Sequence, residues 1–177
     1  MKHGILIKGT ILLLAAGSAW GADGMRYDQN DRYRANELSL DLFGSASIGQ
    51  TTINHLTGDR ISHDARLGAG AGLNYFFSRN IGIGGEAYTE NTHHNFIDNA
   101  SGSLIARFPL GTSGVAPYVF GGGGRQFDPI YLWFAHLGAG LEYRFTPRVG
   151  AFLDARYVFT DETKNYGLGR AGLRLAF

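Results

Sequence analysis

Tyr166-Gly-Leu-Gly-Arg-Ala-Gly-Leu-Arg-Leu-Ala-Phe177 closes the chain and decides how the rest of it is read. Taken with period two, one face carries Gly167, Gly169, Ala171, Leu173, Leu175 and Phe177. The other carries Tyr166, Leu168, Arg170, Gly172, Arg174 and Ala176. An apolar face opposite an arginine-bearing face is the alternation of a β-strand. Left as a sheet edge, such a strand would offer unpaired N–H and C=O groups to other chains. Pairing with the first strand of the same sheet removes that edge, so the stretch predicts a closed barrel.

The composition is consistent with this. The chain has 177 residues with 27 glycines, 13% aromatics and 4 prolines, a β-rich bias in a single domain. Cysteine is absent, which excludes disulfide frameworks and Cys-based zinc sites. Residues 1–21 read as a secretory signal peptide: Lys2, His3 and Lys8 precede the apolar run Ile11–Ala16, and small residues lead to Ala19-Trp20-Gly21. That run is much shorter than the roughly 20 residues of a spanning helix. Removing Lys2 and Lys8 leaves fourteen basic residues against fifteen acidic ones. The resulting charge of about −1 carries no basic surplus for nucleic acid. Residues 22–37 are polar and are expected to form a flexible leader.

From Leu38 onward the alternation repeats. Leu38, Leu40, Leu42, Gly44, Ala46 and Ile48 oppose Ser39, Asp41, Phe43, Ser45 and Ser47. Further strands are expected near residues 64–77, 81–90, 97–108, 115–125, 133–145 and 149–159, followed by the final one. The phase of the fifth, with Pro117 and Gly121–Gly124, is ambiguous. Short turns at Ser78-Arg79-Asn80, 109–114 and Thr146-Pro147-Arg148 alternate with longer polar loops at 49–63, 90–96, 124–132 and 160–165. Tyr75, Phe77, Phe108, Tyr143, Phe145 and Phe177 fall on the apolar faces at the turn end. Trp133, Tyr157 and Phe159 fall there at the loop end. Two aromatic belts around a small-residue apolar band are what a membrane-spanning barrel requires.

The opposite faces hold Asp41, Glu86, Glu142 and Asp154 together with Arg66, Arg107, Arg144, Arg156, Arg170 and Arg174. If Arg156 lies opposite Arg170, Asp154 is diagonal to Arg170 and bridges the two; Glu90 is likewise diagonal to Arg66. Eight strands leave an interior just wide enough for side chains, so a filled lumen of paired charges is expected. A narrow anion-favouring pore is the alternative. His136, inward-facing and without Ser or Thr two residues to either side, is expected to be structural. His93-His94 and the glycine runs call for no metal and no cofactor, since neighbouring strand residues point apart and no helix follows the glycines.

Alternating strands ending on Phe177 resemble the bacterial outer-membrane β-barrel proteins, and among them the small OmpA-like and opacity-type barrels, over residues 38–177. The resemblance implies an all-β, eight-stranded antiparallel up-and-down transmembrane β-barrel in the cell outer membrane. Phe177 would be the assembly signal read by the barrel assembly machinery after passage with periplasmic chaperones. Outer-membrane lipids and lipopolysaccharide would surround it. Short turns belong on the periplasmic side, so both termini are expected there. The resemblance implies a structural or surface-interaction role and no catalytic residue; a lipid-modifying enzyme is the remote alternative.

Overall fold

The computed structural model describes residues 32–49, 51–53, 60–62, 65–90, 97–128, 131–161 and 165–177. The signal-peptide reading and His93-His94 lie outside these residues. The strands are β1 (Glu37–Ile48), β2 (Thr51–Ile53), β3 (Arg60–Ser62), β4 (Ala65–Phe76), β5 (Ile81–Thr89), β6 (Asn99–Arg107), β7 (Val115–Gln126), β8 (Leu132–Arg144), β9 (Val149–Thr160) and β10 (Tyr166–Ala176). Eight of them close into an antiparallel barrel in the order β1-β10-β9-β8-β7-β6-β5-β4. The closing seam pairs β10 with β1, from Ser39 opposite Ala176 to Ile48 opposite Gly167. Inside the first loop, β2 and β3 form a separate two-stranded ribbon. The third loop is shorter than the expected 124–132, because β7 runs on to Gln126 and keeps its glycines in the ladder.

Barrel strands of nine to thirteen residues match the ~9–11 residues of a tilted membrane strand. Polar side chains make the turns tight. Ser78 Oγ accepts from the N–H groups of Asn80 and Ile81, and Thr146 Oγ1 from those of Arg148 and Val149.

The wall is apolar outside and the lumen polar and aromatic, with the alternation predicted for every barrel strand but β7. The ambiguous β7 is settled by register: Tyr118 opposes Gly140 and Phe120 opposes Gly138, and both rings point inward. Bulky inward rings lie over glycines of the adjoining strand. Gly172, on the closing seam, is a case set by backbone: a Cβ there would sit 2.2 Å from the carbonyl oxygen of Leu42 and 2.8 Å from Cα of Phe43. Gly122, between Ser103 and His136 in register, is as tight, with the Gly102 oxygen 1.9 Å from such a Cβ. Only residues without a side chain allow strands to coil this closely.

Both aromatic belts stand on the outer surface. Phe77, Phe108, Phe145 and Phe177 are about half exposed or more at the turn end, as are Tyr131, Trp133 and Tyr157 at the loop end. Pairs of rings stack edge to face within a strand, Tyr75 on Phe77, Tyr143 on Phe145 and Tyr157 on Phe159.

Candidate functional site: the charged lumen

Alternation buries charged side chains inside the barrel, and they persist there only if paired. The turn-end half of the lumen holds one continuous chain of ion pairs. Glu37 accepts from Arg107 at 2.8 Å and from Arg144 at 2.7 Å. Arg144 also pairs with Glu142, and Glu142 with Arg174 at 2.5 Å. Arg174 then grips Asp41 through Nε and Nη2, each at 2.6 Å, and Asn74 donates to the same carboxylate at 2.9 Å. Nearer the loops, Glu86 joins Arg156, at 2.5 Å, to Arg170. Arg170 holds Asp154 with a two-pronged contact, Nη2 at 2.6 Å and Nε at 2.9 Å. The Tyr118 hydroxyl donates to Asp154 at 2.7 Å while its ring lies 5.7 Å from the Arg174 guanidinium, which links the two groups.

These geometries alter two expected pairings. Asp154 is directly opposite Arg170, and Leu168 occupies the place opposite Arg156. The group joining the two arginines is Glu86, reaching across from β5. Arg66 is half-buried at the loop end, where its charge favours the carboxylate of Glu90. Burial is the larger influence on Glu90 and pushes its carboxyl above the usual range.

The residues that sequence reasoning missed come from the supposed leader. Residues 32–37 are seated under the barrel, correcting the expectation of a flexible segment for that part of 22–37. Glu37 belongs to β1 and is 1% exposed. Tyr33 fills the turn-end mouth, its ring 4.8 Å from the Arg107 guanidinium and 5.1 Å from that of Arg144. Its hydroxyl donates to the Gly114 carbonyl at 2.7 Å, and burial raises its pKa above the usual tyrosine value. The only hint in the sequence was an acid and an aromatic in an otherwise polar stretch.

With Glu37 included, the residues of the described ion pairs are five arginines and five carboxylates. Arg107, Arg144, Arg156, Arg170 and Arg174 face Glu37, Asp41, Glu86, Glu142 and Asp154. Guanidiniums also lie over rings, Arg107 at 3.6 Å from the centre of Phe76 and Arg170 at 4.9 Å from that of Phe43. Above the network, Tyr88, Leu132, Phe134, Val158, Tyr166 and Leu168 pack the loop-side lumen. Between the two polar groups lies a cavity of about 20 Å³ lined by Asp41, Asn74, Glu86, Tyr118, Arg170 and Arg174, room for about one water.

His136 has a serine partner after all. Ser103, two strands away across Gly122, places Oγ 3.3 Å from His136 Nε2. Arg156 Nη1 lies 3.2 Å from Nδ1. Guanidinium only donates, so Nδ1 is the acceptor and the ring proton sits on Nε2. His136 therefore donates toward Ser103, the reverse of what a base activating a serine does. It is also 3% exposed inside the lumen, away from any lipid.

No protein-family model and no curated protein matches the sequence. Among solved structures, the N-terminal β-barrel domain of Pseudomonas aeruginosa OprF aligns with a TM-score of 0.62 at 19% identity, over 81% of this chain and 99% of that one. The fold is that of the small outer-membrane β-barrels. OprG from the same organism follows at TM-score 0.57 and 11% identity, over 85% of this chain and 99% of that one. Ail, the attachment invasion locus protein of Yersinia pestis, solved with the heparin analogue sucrose octasulfate, aligns at TM-score 0.50 and 14% identity, over 81% and 99%. At these identities the likeness to small outer-membrane barrels is one of fold.

Proposed function

We propose that this protein is an integral outer-membrane β-barrel with a sealed, charge-paired lumen and a structural or surface-interaction role, and that it is not an enzyme. The observation that carries this reading is the lumen itself. Its buried arginines are matched by carboxylates, Tyr33 stops the turn end, and the apolar cluster fills the loop side. Arg32, where the described residues begin, and Phe177 lie at the end with the short turns, which this reading places in the periplasm. The loops at the other end then face outward, available to lipopolysaccharide, host surfaces or other proteins. Ail, of the same fold, has been solved with a polyanionic sugar, which supports surface interaction as the role.

Conductance tests the reading. The refolded chain, its heat-dependent gel shift confirming the barrel, is expected to be electrically silent in a planar bilayer. Discrete steps altered by neutralising Arg156 or Arg170 would overturn the sealed lumen in favour of a narrow pore.

The reading also makes Phe177 the signal for the barrel assembly machinery. Its N–H already donates to the Leu38 carbonyl at 2.8 Å, while its ring is 67% exposed. Deleting Phe177 is expected to slow insertion and to accumulate a protease-sensitive periplasmic form. Undiminished yields of heat-shifting protein in the membrane would contradict the assignment.

A further inference from the structure

The outer wall of the eight barrel strands carries a charge at one place. Among their outward positions, Arg125 on β7 is the one charged residue. It lies at the loop end, directly opposite Trp133 of β8. Its guanidinium is 5.4 Å from the Trp133 ring centre, 5.6 Å from that of Tyr131 and 6.0 Å from that of Phe127, within cation–π range of all three. Among the described residues no carboxylate pairs with it, unlike the arginines of the network.

The wall below Arg125 carries no side chains. The next outward positions on β7 are Gly123 and Gly121, and Gly123 is in register with Gly102 of β6, itself opposite Gly85 of β5. Leu104 and Leu137, both more than 60% exposed, flank this bare strip. An exposed cation thus stands at the head of a shallow apolar channel on the lipid-facing surface.

We propose that Arg125, framed by Phe127, Tyr131 and Trp133, binds the phosphate-bearing headgroup of a lipid in the loop-side leaflet, whose acyl chain lies along Gly123, Gly121 and Gly102. This rests on the membrane-barrel reading above. Charge complementarity selects the occupant: at this height on an outward wall the available anions are headgroups. The planar fork of arginine matches two phosphate oxygens. The rings hold the guanidinium in place, leaving N–H edges to donate.

The test uses the full chain carrying Trp20→Phe, so that Trp133 is the reporting indole, refolded into phosphatidylcholine vesicles. A minor fraction of brominated phosphatidic acid, or of brominated phosphatidylcholine, quenches Trp133 according to which lipid sits beside it. Phosphatidic acid is expected to occupy the site about five-fold above chance, the factor of one interfacial arginine. In Arg125→Gln this enrichment is expected to vanish with the heat shift unchanged. Equal quenching by both lipids, or enrichment that survives Arg125→Gln, would overturn the site. Reversal by inorganic phosphate at constant ionic strength would assign it to the free anion and overturn the lipid. Absence of the heat shift in the chain with Arg125 intact would instead overturn the barrel reading, and the site with it.

Discussion

Replacing Glu37 with alanine is expected to destabilise the folded barrel by about 3–5 kcal/mol, the cost of leaving a buried charge unpaired. Glu37 is the one carboxylate paired with Arg107 among the described ion pairs; Arg144 retains Glu142. Without Glu37, Arg107 keeps the Arg79 oxygen at 2.9 Å, the Arg34 oxygen at 3.2 Å and the Phe76 and Tyr33 rings, but no paired carboxylate. Its side chain is fully buried, so water cannot replace the missing anion. The measurement is urea unfolding of the refolded barrel, followed by the heat-dependent gel shift. Arg107→Met added to Glu37→Ala is expected to recover more than half of the loss, since an apolar replacement of a buried pair is often close to neutral. A loss below about 1 kcal/mol in Glu37→Ala, the level of an exposed ion pair, would show that Glu37 is solvated and that the turn-end mouth is open.

The second large effect is expected at the closing seam. Gly172→Val places its Cβ 2.2 Å from the Leu42 oxygen, and the neighbouring contacts at 2.8 Å are with Phe43. The obstacle is backbone, so no rotamer change relieves it. The cost is expected to exceed the ~1–3 kcal/mol of ordinary over-packing and to separate β10 from β1. Gly167→Val is the control on the same strand: a Cβ there meets nothing within 4 Å, and valine favours strands. Refolding yield, read by the heat shift, should collapse for Gly172→Val and hold for Gly167→Val. Equal yields would mean that the β1–β10 pairing is looser than the register implies.

The two substitutions differ in how readily the sequence foretold them. Gly172 falls on the polar face of the last strand, where the alternation already placed a glycine in a crowded lumen. Glu37 lies one residue before the expected start of β1, in a stretch whose polarity read as solvation. Nothing local distinguishes a carboxylate exposed in a leader from one buried between two arginines seventy and more positions away. Tyr33 was hidden for the same reason. The Ser103–His136 contact is not legible along the chain, because the partner sits across Gly122 on β6.

What the sequence determined by itself is what depends on period two. Successive side chains of a strand point to opposite faces, so the order of residues states which side chains meet lipid and which meet the lumen, and where the aromatic belts fall. The even number of strands and the alternation of turn and loop follow from the same reading. What only the tertiary structure decided is which inward groups meet. Register and closure choose the neighbour on the next strand and the one across the lumen. A shift of two residues along one strand would keep every face and exchange every partner. That is why Asp154 sits directly opposite Arg170, why Glu86 rather than Asp154 joins Arg156 to Arg170, and why Glu37 completes a balance of charge that counting along the chain did not show.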